Sequence, residues 1–519
     1  MRTALLRSCP RFLARNRVLF MLLACSVAFL VVGLSGFAPA QQEAKAQSST
    51  TTEQPNIVFV LTDDLDYASA FKMPEIRSRL IEEGTSFEQA FMSHPICCPS
   101  RATILTGLYD HNHEVLANRP PSGGFEKFVS EGHEENTIGV RLQEGGYQTA
   151  FFGKYLNGYP ADDPTHVPPG WDEWYGKLDD QDLYDYRINE NGEEISYGSE
   201  EEDFFTDVLS GQTTDFVQRA APDSEPFFAY VAPTAPHGPA TPAERHKGAF
   251  SEEELPRPPS FDEEDVSDKP SQIQDAERIS NGQASNIDAR DRQRLESMLA
   301  VDEMVAALVQ ELEAAGELEN TYIFFTTDNG FHGGEHRIRG GKDRPYEESA
   351  RVPFFVRGPG VAAGTQAEEL ALNTDLAPTF ADLAGVEFPA DGRPLAPLLS
   401  GEEDSSWRTS VLLEKLPPQA DSSEAGDGKA KGKGKGKGKG KSKQGPSSSP
   451  GFQAIRTGTH KYVEYNNGDV ELYDLTADPY ELESLHESAD PALVEDLKAR
   501  LEALKSCSEQ GCKEAEDAP

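Results

Sequence analysis

Two adjacent cysteines open the stretch best suited to chemistry: Cys97-Cys98-Pro99-Ser100-Arg101, an apolar run to Leu105, then Thr106-Gly107. Pro99 suits the first turn of a helix, where its missing N–H costs nothing. A thiol just ahead of that turn sits at the positive end of a helix dipole, where negative charge is favoured. Arg101 adds a fixed cation one turn in. Taken alone, the pair reads more readily as two buried structural thiols.

A second kind of chemistry sits at two apolar runs. Asp63-Asp64 directly follow Asn56–Leu61 (NIVFVL), and Asp328-Asn329-Gly330 follow Tyr322–Thr326. Ligands gather at the carboxyl ends of strands in doubly wound sheets. Two strand ends that each deliver adjacent oxygens make a site for one hard divalent ion, Ca²⁺ or Mg²⁺. Singly, each pair also reads as a turn or a helix cap. The six cysteines form no C-x-x-C pair and no zinc pattern.

Cys97, Pro99, Ser100, Arg101, Thr106 and Gly107 together spell C-x-P-S-R-x-x-x-x-T-G, which resembles the signature of the sulfatase family. By the register of that motif, the resemblance implies that Cys97 is oxidised to formylglycine, the catalytic nucleophile, by a formylglycine-generating enzyme. It implies a metal held by Asp63, Asp64, Asp328, Asn329 and residue 97. Lys154 in GKYLNGY, His237 in TAPHGP and Lys342 in GGKDRPYEESARVP are similar to the family's first lysine, its sulfate-contacting histidine and its second lysine. Many members carry a histidine two residues after the first lysine, where this chain has Leu156. His332 or His336, in DNGFHGGEH, are then the candidates to fill that role.

The implied reaction is attack on sulfur by one oxygen of the hydrated aldehyde. Arg101, Lys154 and Lys342 would stabilise the sulfuryl oxygens, and His237 would protonate the leaving alcohol. CCPSRATILTG with HNHEV, HVPPGW, VDEMV and NTYIFFTTDNGFH is most similar to N-acetylglucosamine-6-sulfatases and extracellular heparan 6-O-endosulfatases. The substrate class implied is a sulfated carbohydrate or aryl sulfate. The competing readings are a phosphonate monoester or phosphodiester hydrolase of the same superfamily, and a glycan-binding protein with a dead site.

These residues need elements to hold them. Further strands are predicted at Tyr147–Phe152, Phe227–Val231 and Pro353–Val356, with helices at Met73–Glu83, Thr137–Glu144 and Arg290–Ala315. Strands alternating with helices predict an α/β fold, a large mostly parallel sheet sandwiched by helices. The resemblance implies its alkaline-phosphatase-like form. The segment after Ser410 predicts a small antiparallel sheet with a terminal helix at Ala492–Leu504.

Five arginines, an apolar run from Val18 to Phe37 and Ala38-Pro39-Ala40 have the order of a secretory signal (1–40). An exported protein is expected, secreted or periplasmic, or held at a membrane through an uncleaved signal or a lipid on Cys25. Residues 41–54 read as a flexible lead-in to a catalytic domain at 55–409, and 410–519 as a C-terminal subdomain. Residues 251–288 are an acidic insertion, and 419–450 a Lys/Gly linker, neither able to fold alone. Cys507 and Cys512 lie close enough to pair, as export permits. A net charge of −41 excludes nucleic acid as a partner. It also means that an anion site must carry its own local positive charge.

Overall fold

Strand β1 (Asn56–Thr62) turns the apolar pattern into layers. Ile57, Phe59 and Leu61 point into one core cluster, while Val58 and Val60 point into the other. All seven residues are buried, as a continuous apolar strand requires. Burying each such side chain stabilises the fold by about 1.5–3 kcal/mol.

The computed structural model describes residues 54–178, 182–399, 407–417 and 450–519. The expected export segment, nearly all of the lead-in and the Lys/Gly repeat lie outside the described residues. Around β1 stand β2 (Thr85–Phe91), β3 (Gln148–Gly153), β4 (Glu173–Lys177), β5 (Arg187–Glu190) and β6 (Glu193–Ser196). The same sheet holds β7 (Phe227–Ala232), β8 (Thr321–Thr327), β9 (Phe355–Arg357) and β10 (Thr365–Leu372). Its order is β10-β2-β9-β8-β1-β7-β3-β4-β5-β6. The central run β8-β1-β7-β3-β4 is parallel throughout, and β9 and β5 run against it.

Helices cover both faces. Cys97–Thr106, Ile138–Glu144 and Leu376–Ala384 pack on one side through Ala102, Leu142 and Phe380. Phe205–Ala220 and Asn281–Ala315 pack on the other through Leu209, Phe216, Met298 and Val305. The large, mostly parallel sheet sandwiched by helices is therefore present. So is the small antiparallel sheet: β11 (Ser410–Lys415), β12 (Phe452–Thr457), β13 (His460–Tyr465) and β14 (Val470–Asp474), with the helix Pro491–Leu504 against it. Cys507 and Cys512 form a disulfide. Among the described residues, no helix is long and apolar enough to cross a membrane.

The start of one helix and the packing of one segment differ from expectation. The helix expected from Arg290 begins at Asn281, behind a Ser280/Gln283 capping box. Its first turns carry few apolar residues, so periodicity alone misses them. The acidic segment is packed rather than solvated, because Val266 and Ile273 join Ile338, Tyr346 and Tyr473 in a separate small core. That segment cannot build a core by itself, and the rest of the chain supplies the partners.

Candidate active site

Four adjacent strands deliver side chains at one edge of the sheet. Thr62 of β1 pairs with Thr327 of β8, so Asp63-Asp64 and Asp328-Asn329 leave the sheet side by side. Lys154 follows β3, and His237 lies in the loop after β7. Gly153 before Lys154 has φ +107, and a Cβ there would meet the Ala232 carbonyl oxygen at 2.1 Å. Only glycine lets the chain turn there so that the Lys154 N–H reaches that oxygen at 2.9 Å.

The helix Cys97–Thr106 is buried along its whole length and aims its first turn at these strand ends. Cys97 Sγ–H donates to Asp63 Oδ1 at 3.4 Å, and Lys342 Nζ donates to Sγ at 2.7 Å. Cys98 points a third of a turn away into the apolar core, beside Ala102 and Tyr155. Its thiol is buried completely, and burial pushes it up to about 12. Burial and the nearby Asp328 and Asp63 carboxylates also push the Cys97 thiol up. Burial thus favours the protonated thiol at both positions.

The charges interlock. Lys154 Nζ pairs with Asp63 Oδ2, and Lys342 Nζ pairs with Asp64 Oδ1. Burial works against the Asp63 charge, yet Lys154, His237, Lys342 and Arg101 hold its carboxyl well below the usual range. Burial likewise opposes the Lys154 charge, but Asp63 outweighs it and pushes the lysine up to about 12. Burial and the Asp63 charge push Asp328 up. His237 has its Nδ1 2.8 Å from the Gly238 carbonyl oxygen, an acceptor that assigns the proton to Nδ1. Its Nε2 faces the site, 3.8 Å from Asp64 Oδ2.

Arg101 is placed differently from its expected role on the sulfuryl oxygens. Its Nε donates to Asp328 Oδ2 at 2.8 Å and its Nη1 to the Lys154 carbonyl oxygen at 2.7 Å. It braces β8 against the turn that carries Lys154, leaving only Nη2 without a hydrogen bond. The imidazole among the ligand-type atoms around Cys97 is that of His237. The rings of His332 and His336 lie instead against Tyr346, at centroid distances of 6.1 and 4.2 Å. The His332 backbone N–H does hold Gly341 at 2.8 Å, beside Lys342.

The donor set fits a hard cation. Asp63 and Asp64 carboxylate oxygens lie within 4.8 Å of one another, of Cys97 and of His237. Asp328 adjoins them through the Asp64 N–H at 3.2 Å, and Asn329 Oδ1 is buried with no hydrogen-bond partner while its Nδ2 donates to Asp64 Oδ1 at 2.7 Å. Three acids (Asp63, Asp64, Asp328) face three permanent cations (Arg101, Lys154, Lys342). A bound divalent ion would leave the site net positive, as an anionic substrate in an acidic protein requires.

Other buried residues complete the frame. His94 Nε2 lies 3.1 Å from Asp343 Oδ1 and its Nδ1 pairs with Asp110 Oδ2. The Asp343 N–H in turn reaches the Pro95 carbonyl oxygen at 2.9 Å. Asn118 Oδ1 accepts from the Cys98 N–H at 2.8 Å, and Asn373 Oδ1 accepts from the Ser93 N–H at 2.9 Å. His94 belongs to the same stretch as the cysteines, and its position there was the only signal available in sequence.

A family model described as Sulfatase matches residues 55–386. The chain belongs to the sulfatase family. It is a sulfuric ester hydrolase. This sulfatase is 34% identical to N-acetylglucosamine-6-sulfatase of Homo sapiens over 94% of its own length and 90% of that protein. It is 28% identical to an N-acetylglucosamine-6-O-sulfatase of Bacteroides thetaiotaomicron, covering 85% and 84% of the two chains. A protein solved in complex with its substrate D-glucosamine-2-N,6-O-disulfate superposes with a TM-score of 0.71 at 25% identity, over 89% of this sulfatase and 99% of that chain. A phosphonate monoester hydrolase of Agrobacterium radiobacter superposes at 0.62 and 21% identity, over 86% and 96%, a likeness of fold.

Proposed function

We propose that this sulfatase hydrolyses sulfate monoesters of sulfated sugars, N-acetylglucosamine 6-sulfate among them, using a formylglycine made from Cys97 and one divalent ion, Ca²⁺ or Mg²⁺. The observation that carries the reading is the placement of Cys97 between the Asp63 carboxylate and the Lys342 ammonium, at the mouth of four strand ends. The relatives named N-acetylglucosamine-6-sulfatase and the neighbour bound to a sulfated glucosamine support the substrate class. The basic, apolar and small-residue order of residues 1–40 supports export, and oxidation of Cys97 calls for a formylglycine-generating enzyme as maturation partner.

Formylglycine, as its hydrate, would supply one hydroxyl to attack sulfur and a second whose collapse releases sulfate. A cation held by Asp63, Asp64, Asp328 and Asn329 would supply Lewis-acid charge at the same place. The remaining work falls to the chain's own groups. Lys342 touches the side chain of residue 97 and orients a sulfuryl oxygen beside it. Lys154 holds Asp63 ionised and adds positive charge on the opposite side. His237 keeps its Nδ1–H on the Gly238 carbonyl, so Nε2 faces the departing alcohol and, in the imidazolium form, would give its Nε2 proton to it. Arg101 fixes Asp328 and the Lys154 turn.

Trypsin cuts after Arg79 and Arg101, releasing Leu80–Arg101 with both cysteines inside. Fragment-ion mass spectrometry of active protein after alkylation is expected to find one alkyl group, on Cys98, and an aldehyde or its hydrate at 97. Sulfate release from N-acetylglucosamine 6-sulfate, run beside a phosphonate monoester and a phosphodiester, tests the substrate class. Two alkylated cysteines in fully active protein would overturn the nucleophile, and faster turnover of the phosphorus esters would overturn the substrate.

A further inference from the structure

A second convergence of ligand-type atoms lies away from Cys97. His336 Nε2, a Glu348 carboxylate oxygen and a Glu481 carboxylate oxygen all lie within 4.8 Å of one another. Three separate segments bring them there: the loop after β8, the short helix Glu347–Ala350 and the turn after β14. Such proximity could be nothing more than an ion-pair network, so the state of the individual atoms decides.

His336 Nε2 and Glu348 Oε2 are each buried without a hydrogen-bond partner, and Glu481 Oε1 meets only the Lys461 ammonium, 2.7 Å away. The other polar atom of each residue is taken. His336 Nδ1 lies 2.7 Å from Glu263 Oε2, Glu348 Oε1 accepts from Ser260 Oγ at 3.3 Å, and Glu481 Oε2 accepts from the Glu347 N–H at 2.8 Å. Each side chain is thus fixed by an outer partner and turns its other polar atom toward the others, bare in His336 and Glu348 and ion-paired with Lys461 in Glu481. A histidine whose Nδ1 rests on a carboxylate while Nε2 faces inward is the usual outer arrangement of a metal-bound imidazole.

The cations here are already shared: Lys269 lies 3.2 Å from Glu263 and Arg456 3.2 Å from Glu347. Lys461 Nζ lies 2.7 Å from Glu481 Oε1 and 3.0 Å from Glu347 Oε1, so one ammonium serves two carboxylates. Among the described residues, the ion-pair partner of Glu348 is His336 Nε2 itself, at 3.7 Å. Two ligands of a tetrahedral zinc stand about 3.4 Å apart at bond lengths of roughly 2.0–2.1 Å, so that pair needs to close by only a few tenths of an ångström. One imidazole with two carboxylates suits Zn²⁺, whereas Ca²⁺ prefers oxygen alone. Glu348 also lines a side cavity of about 350 Å³ bounded by Phe331, Glu335 and Tyr480, which gives an entry path and room for a water ligand.

We propose that His336, Glu348 and Glu481 form a second metal site, for Zn²⁺, separate from the catalytic cation. It ties the Gly330–Lys342 loop to the small C-terminal sheet and so stiffens the segment that presents Lys342. No step of sulfate hydrolysis passes through it.

The test uses full-length protein loaded with Zn²⁺ in excess Ca²⁺, gel-filtered and measured for zinc by elemental analysis. One zinc per chain is expected in the wild type and in Asp64→Asn, with at least a tenfold loss in His336→Gln and in Glu481→Gln. Zinc-edge anomalous scattering from wild-type crystals gives a second reading that needs no variant, with a peak expected between His336 and Glu348. Zinc retained in His336→Gln and Glu481→Gln, zinc lost in Asp64→Asn, or no anomalous peak beside His336 would overturn the proposal.

Discussion

Lys342 and Asp343 are neighbours in the chain, yet they belong to two regions finished in opposite ways. Lys342 enters the strand-end site, where Asn329 Oδ1 and Arg101 Nη2 are buried without partners. Asp343 enters the network behind it, where both ring nitrogens of His94 and of His113 are engaged. His94 meets Asp343 and Asp110, and His113 meets Thr103 Oγ1 at 3.0 Å and the Val115 N–H at 3.0 Å. Lys415 from the small sheet closes that network on Asp343. Buried polar groups are nearly always satisfied, so bare atoms gathered at strand ends point to an outside partner. A network whose ring nitrogens are all engaged marks scaffolding, even with Asp110 Oδ1 left to an ion-pair contact with His113 at 3.3 Å. The two regions share one loop and divide its duties.

Substitutions can break that contrast. The largest effect is expected from Cys97→Ala and from Asp63→Ala, which should abolish sulfate release while Cys98→Ser retains it. A sulfate-release assay with circular dichroism to confirm folding checks this, and activity in Cys97→Ala would dissolve the distinction between the two cysteines. Next come Lys342→Ala and His237→Ala, each removing one group proposed to face the substrate anion. A loss of roughly a hundredfold or more in kcat/KM is expected by analogy with single oxyanion donors, and wild-type kinetics would remove that residue from the site.

His94→Gln should act on stability first, with activity falling less than about tenfold. Burial opposes the His94 charge, but Asp110 and Asp343 overcome it and raise the group to about 9. Its pKa in the unfolded chain is about 6.5. A raised folded-state value gives stability that is complete below about pH 6.5 and is lost as pH rises through about 9. Melting temperature should therefore fall across that window in the wild type, and the fall should be shallower in His94→Gln. Equal slopes would show that the His94 charge contributes nothing.

The smallest effect is expected from replacing residues 419–450 with a short Gly/Ser turn. Lys415 and Phe452 are paired across β11 and β12, so the segment leaves and returns at one place. Closing a shorter loop there costs little. Turnover of a small sulfate ester and the melting temperature should both stay near wild type. A large drop in either would tie that segment to one of the two regions.

Much of this was readable from the chain because the chemistry sits at strand ends. NIVFVL followed by Asp-Asp and YIFFT followed by Thr-Asp-Asn announce both the strand and the turn that presents its acids. The strands β2 and β10 were missed, since TSFEQAF and TQAEELAL mix charge into an edge of the sheet. The job of Arg101 was also not legible. A motif fixes its residue type, but only the fold shows that Asp328 and the Lys154 carbonyl occupy its donors. His336, Glu348 and Glu481 are 12 and 133 residues apart in sequence, a spacing that matches no local motif. Only the docking of the small sheet brings them together.

The helix Cys97–Thr106 has no exposed face, and Cys97 itself is 1% accessible. A protein catalyst that oxidises a side chain must enclose it in its own cleft. On the folded enzyme there is nothing at residue 97 to enclose. The conversion proposed for Cys97 would therefore be confined to the interval before the central sheet closes over it, while the nascent chain is still extended. Chains that fold ahead of the oxidising partner would be stable, correctly shaped and permanently inert. The active fraction of a preparation would then record the race between folding and maturation, and slowing the folding of the new chain would raise it.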